Sequence, residues 1–142
     1  MPTHDQELES LFHELCFYTL SHGSPTFIHQ HVVDAHAAQR ADESSKPIGV
    51  AFALFGLYLH LERGYTGRQV QRAHMQLAKQ RRTWPRFTLP AQRTAMTVRD
   101  VLAAEPGSAR DQAIDAWAAA VWADWKDSHA HVREILKVEL GI

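Results

Sequence analysis

One cysteine, Cys16, stands in a chain of 142 residues. A single thiol excludes an intrachain disulfide and any zinc site assembled from several thiolates of one chain. Set in Leu15-Cys16-Phe17-Tyr18, it reads as a small buried hydrophobe, and it fits a reducing compartment. Long apolar runs are also missing. The longest, Ile48 to Leu59, covers twelve residues, where a membrane-spanning helix needs about 18 or more. The acidic stretch Met1 to Ser10 lacks the apolar centre of a secretory signal. The expectation is a soluble, cytoplasmic protein without membrane association. Negative charge is absent from one long stretch: between Arg63 and Arg99 there are nine Lys or Arg and no Asp or Glu. Missing too are His-Glu-x-x-His, Glu-x-x-His and any other tight ligand pair on one helix.

The residues that are present predict a single domain over 1–142, all-α, a bundle of five to seven helices with no convincing strand. Helical periodicity is broken by Gly, Pro and Ser punctuation. The first helix runs over about 5–20. A second opens with Ser24 as N-cap and Pro25 in the first turn and runs to about Arg40. A central helix over about 47–63 is apolar nearly all round, the pattern of a helix buried on most sides, and Gly64 stops it. Thr66 caps a fourth helix to about Arg82, and Thr97 caps a short one to Ala104. Ser108 caps the last long stretch, whose stripe reads Ile114, Trp117, Ala118, Val121, Trp125, Val132 and Leu136. The pair Asp127-Ser128 leaves open whether that stretch is one helix or two.

Ten histidines are many for this length. On helical wheels His31, His60 and His74 point inward from three helices, with Asp34 beside His31. Bundle cores hold metals through ligands converging in this way. His31, His60, His74 and Asp34 are therefore the candidate ligands for zinc, nickel, iron or manganese. If the chain is a metal-dependent enzyme, Glu62 or Asp34 is the candidate base. Gly49, Ala53, Gly56 and His60 form a small-residue stripe that fits either close helix packing or a pocket floor ending on His60 and Glu62.

In the acid-free block, Arg68, Arg72, Lys79, Arg81, Arg82 and Arg86 mark a basic face, interleaved with Trp84 and Phe87. The leading expectation is a non-catalytic interaction module whose basic face meets an anionic or acidic partner. That partner is an acidic protein, a small anionic ligand, or the chain's own acidic flanks in helix one and the C-terminal helix, within one chain or between copies in a homo-oligomer. Nucleic-acid binding is a third reading.

The runs Phe27-Ile28-His29-Gln30-His31-Val32-Val33-Asp34-Ala35-His36-Ala37-Ala38-Gln39 and Gly56-Leu57-Tyr58-Leu59-His60-Leu61-Glu62-Arg63-Gly64 resemble a bacterial family of small helical proteins. That family is catalogued only as a domain of unknown function. The resemblance implies a helical fold and no settled activity, and it places His29, Asp34, Gln39, Glu62 and Arg63 on motif positions. Many similar sequences begin with a zinc-ribbon-like cysteine segment, which this chain lacks, and often carry tyrosine where this one has His36. In architecture and residue type alone, the chain is also similar to metal-binding bundles related to the DNA-damage-inducible family, which hold a metal through three inward histidines.

Overall fold

A computed structural model describes residues 1–81 and 83–142 of the chain. Among the described residues the fold has seven α-helices: α1 (His4–Ser21), α2 (His29–Arg40), α3 (Pro47–Arg63), α4 (Gly67–Gln80), α5 (Val98–Ala103), α6 (Ser108–Asp124) and α7 (His129–Leu140). No strand occurs among the described residues. The apolar run that fills α3 makes it the central element. Its residues Val50, Ala51 and Ala53 to Leu59 are all buried, and it packs against α2, α4, α6 and α7. Pro47 occupies the first turn, and Gly64, in the left-handed conformation at φ 70°, ends the helix. Both fit the residues available, since proline needs no N–H there and glycine tolerates a positive φ. No helix among the described residues is long and apolar enough to cross a membrane.

Three threonines start helices by the same device. Thr3, Thr66 and Thr97 each accept a backbone N–H while Gln6, Gln69 and Asp100 reach back to the cap N–H, satisfying two orphan donors at each end. The start of α2 departs from expectation. Ser24 and Pro25 do not open a helix; Ser24 accepts the Phe27 N–H in a turn, and Phe27 takes φ 58°. The helix begins only at His29 because the preceding backbone is turned toward α4. There Thr26 accepts the Arg68 N–H at 3.1 Å, and a Cβ on Gly67 would lie 1.7 Å from the Phe27 carbonyl oxygen.

Ser108 is likewise not a cap. Gly107, at φ 99°, leads the chain into α6 without a side-chain bond, and Ser108 is the first helical residue. The last stretch is two helices. Trp125 leaves the α conformation, a 3-10 turn spans Lys126–Ser128, and α7 follows. The His129 Nε2 donates to the Trp122 carbonyl at 2.7 Å, at an end of α6 where the Trp125 N–H reaches the same carbonyl at 3.0 Å. The small-residue stripe of α3 also divides. Gly49 faces open space, whereas a Cβ on Gly56 would fall 1.9 Å from Asp34 Oδ2. Only Gly56 marks a close approach, that of the α2 carboxyl.

Candidate functional site

Where α2 and α3 cross, His31 and His60 stack with ring centroids 3.5 Å apart and planes 14° from parallel. His60 is fixed from two sides: Nε2 lies 2.9 Å from Asp115 Oδ1 on α6, and Nδ1 lies 3.2 Å from the Tyr65 carbonyl. Both partners are acceptors, so each nitrogen bonds by donating, and a ring with one proton can serve only one of them. The bond from His60 holds the Asp115 carboxyl below the usual carboxylate range, against its partial burial. Burial first, and the adjacent His60 second, bring the His31 imidazole down to about 3, leaving it neutral. His31 is 4% exposed and its Nδ1 has no hydrogen-bond partner. The stack forms one wall of an open cavity of about 260 Å³, completed by Thr26, Ile28, Gly64, Tyr65, Thr66 and Asp115.

The other proposed metal ligands lie elsewhere. His74 donates from Nε2 to the Phe52 carbonyl at 2.9 Å and stacks on the Phe52 ring. Phe52 precedes His60 by eight residues, about 12 Å along the α3 axis. Asp34 is buried against Gly56, its Oδ1 accepting from Gln30 Nε2 at 3.1 Å and its Oδ2 unpartnered. Burial raises its pKa well above the ordinary aspartate value. Sharing an ion requires both imidazole lone pairs to meet about 2 Å from each nitrogen. Lone pairs lie in the ring planes, and the near-parallel planes of His31 and His60 do not bring them together. Thus His31, His60, His74 and Asp34 do not form a ligand set, and no group of three His, Cys, Asp or Glu suited to a metal occurs among the described residues. Glu62, the other candidate base, is held by Arg133 Nη2 at 2.8 Å and Trp122 Nε1 at 2.8 Å. Burial pushes its pKa up, but those hydrogen bonds outweigh it and the carboxyl stays below its usual range.

The motif positions are mostly polar pins between elements. The His29 Nδ1 sits 2.9 Å from the buried Thr19 hydroxyl of α1. Gln39 donates to the Met96 carbonyl at 2.7 Å and accepts from Trp117 Nε1 at 3.0 Å, tying α2 to the loop before α5 and to α6. Asp34 locks α2 onto α3, and Glu62 joins α3 to α6 and α7. Arg63 is exposed. His36 stacks on Phe12 at 3.9 Å and reaches Glu9 at 3.2 Å. Sequence reasoning missed Asp115 altogether. A signal was there, because Asp115 lies in helical register with the inward Ala118 and Trp122.

The acid-free block divides by use. Arg93 donates to the carbonyls of Ala38, Gln39 and Ala41 (2.6 Å to Ala41) at the C-terminus of α2, where cations are favoured. Arg99 pairs with Glu7 at 3.2 Å and Arg81 with Glu139 at 3.6 Å. Exposed Arg63, Arg68, Arg72, Lys79 and Arg86 have no carboxylate in ion-pair range among the described residues. Arg68 sits over the Phe27 ring at 4.7 Å. Arg82 lies outside the described residues.

No curated protein and no solved structure matches the chain. A family model does, over residues 6–126, which takes in both runs quoted above and the elements that carry the His31–His60–Asp115 cluster. The chain belongs to a family of unknown function, DUF5946.

Proposed function

We propose that the chain is a non-catalytic binding module that meets an acidic protein surface through the outer face of α4. The carrying observation is the arrangement of Arg68, Arg72 and Lys79. At 100° per residue the three fall within an arc of about 40°, opposite the buried Val70, Ala73 and Leu77. They span about 16 Å of helix. Met75, 58% exposed, interrupts the cationic row with an apolar side chain. The division of the basic block supports this reading. Arg81, Arg93 and Arg99 are consumed in holding the fold together, whereas among the described residues the α4 row has no internal carboxylate to neutralise it. Such a concentration of one sign steers association with an oppositely charged surface.

Fluorescence anisotropy with a labelled polyglutamate peptide and with single-stranded DNA tests it. The expected result is saturable binding to the peptide that weakens as salt rises, and loss of about ten-fold or more in Arg72→Glu/Lys79→Glu. Preference for DNA, with a steep salt slope, would move the reading to nucleic acid. Indifference to both substitutions would remove α4 as the interface. Sedimentation of the unlabelled chain in low and high salt distinguishes a foreign partner from a second copy.

A further inference from the structure

The cavity beside the His31–His60 stack differs in its chemistry from the α4 row. Neither Lys nor Arg contributes to its lining: Thr26, Ile28, His31, His60, Gly64, Tyr65, Thr66 and Asp115 do. Two basic residues adjoin the lining in sequence: Arg63, beside Gly64, is exposed, and Arg68, two positions after Thr66, is held over the Phe27 ring. The one carboxylate among the described lining residues is Asp115, which pairs with His60 at 2.9 Å. One of its oxygens accepts from His60, and the other makes no hydrogen bond among the described residues. Its side chain is 56% exposed, so the free oxygen is within reach of a ligand. His31 adds an imidazole that burial keeps uncharged and that therefore does not repel a cation. It is buried to 96% and polar, with no partner for Nδ1, and its ring lies in the wall. Ile28 supplies apolar surface nearby.

We infer that this cavity binds a small organic amine, whose ammonium group pairs with Asp115 and whose apolar or aromatic body rests on Ile28 and the His31–His60 stack. The space of about 260 Å³ equals the liquid volume of about eight or nine waters, enough for an amine with a single ring. An anion is disfavoured by Asp115. The near-parallel imidazole planes disfavour a metal ion. The inference does not rest on the α4 interface, and the two fail separately because they call for ligands of opposite sign at different sites.

Heteronuclear NMR titration of the full chain with 2-phenylethylamine, and with 3-phenylpropionate as an anion of similar size, decides the matter. The expected outcome is saturable movement of the His31, His60, Tyr65 and Asp115 signals with the amine and none with the carboxylate. Asp115→Asn keeps the shape and an acceptor for His60 while removing the charge, and weakens amine binding about ten-fold or more. Equal or tighter binding of the carboxylate, an Asp115→Asn chain that binds the amine as well as the parent, or no saturable shift at millimolar amine each overturns the inference.

Discussion

Asp34 and His31, three residues apart on one helix, resist charge for the same reason and tilt stability in opposite directions. Water is excluded from both, which disfavours the ionised carboxyl and the protonated imidazole alike. Asp34 has its folded-state pKa raised above 3.8. Between that value and its folded pKa the folded chain keeps a proton the unfolded chain releases. Stability contributed by Asp34 is full below 3.8 and is lost as pH rises through the folded value, by up to about 1.4 kcal/mol per pH unit. His31 is depressed from 6.5 to about 3. Its contribution is full above 6.5 and is lost as pH falls toward 3, because the unfolded chain then takes up a proton that the folded chain refuses. Burial lowers His29, His36 and His74 in the same sense. Across the interval between 3.8 and 6.5 the two slopes oppose each other. Urea unfolding over that interval should therefore show a steeper rise of stability with pH in Asp34→Asn than in the parent, and a flatter one in His31→Gln. Parallel curves for all three would show that neither group is held in its neutral form by the fold.

At the scale of elements, the junction of α2 with α4 depends on one hydrogen atom at position 67. A methyl there would meet the Phe27 carbonyl oxygen at 1.7 Å, and that carbonyl belongs to a backbone already held at φ 58°. Gly67→Ala is expected to cost about 3 kcal/mol, as overpacking against backbone does. Gly49→Ala on α3, where nothing lies within 4 Å, should gain about 0.5–1 kcal/mol through helix propensity. Chemical denaturation of both variants checks the contrast, and two similar losses would mean that close approach is not what Gly67 serves. The same junction marks the limit of what a sequence can display. The bounds of α3, its Gly64 stop and the Thr66 and Thr97 caps depend on residues within a few positions, and all were readable. Ser24-Pro25 carries a sound local start signal, yet the backbone turns toward α4, some forty positions away. The candidate site divides in the same manner. His31 and His60 were legible as inward residues on their own helices. Their partner Asp115 lies 55 positions from His60, and helical periodicity says which face a residue is on, not which residue of another helix it meets. His74 shows the converse: it faces inward as expected, two turns along α3 from where convergence required it.

Over the whole molecule, α7 lies beyond residues 6–126, which the family model matches, yet it is built into the core. Val132 and Leu136 are fully buried and Ile135 nearly so. The helix packs on α3 and α4, and His129 stacks on Trp122 at 3.7 Å. Two kinds of attachment compete to explain its docking. The Arg133–Glu62 pair is well formed, but Arg133 is 47% and Glu62 29% exposed, and pairs of that exposure contribute about 1 kcal/mol or less. Burying three aliphatic side chains contributes about 5–8 kcal/mol, comparable to the entire stability of a small domain, about 5–15 kcal/mol. The apolar face therefore dominates. Arg133→Ala should lower stability by no more than about 1 kcal/mol and leave unfolding cooperative. A chain ending at Ser128 should lose the cooperative transition, because removing α7 also uncovers the apolar surface around Trp122 that it covers. Thermal unfolding followed by tryptophan fluorescence and circular dichroism separates the two. A shortened chain melting as sharply as the full one would make α7 an appendage, and a collapse on Arg133→Ala alone would transfer its docking to the ion pair.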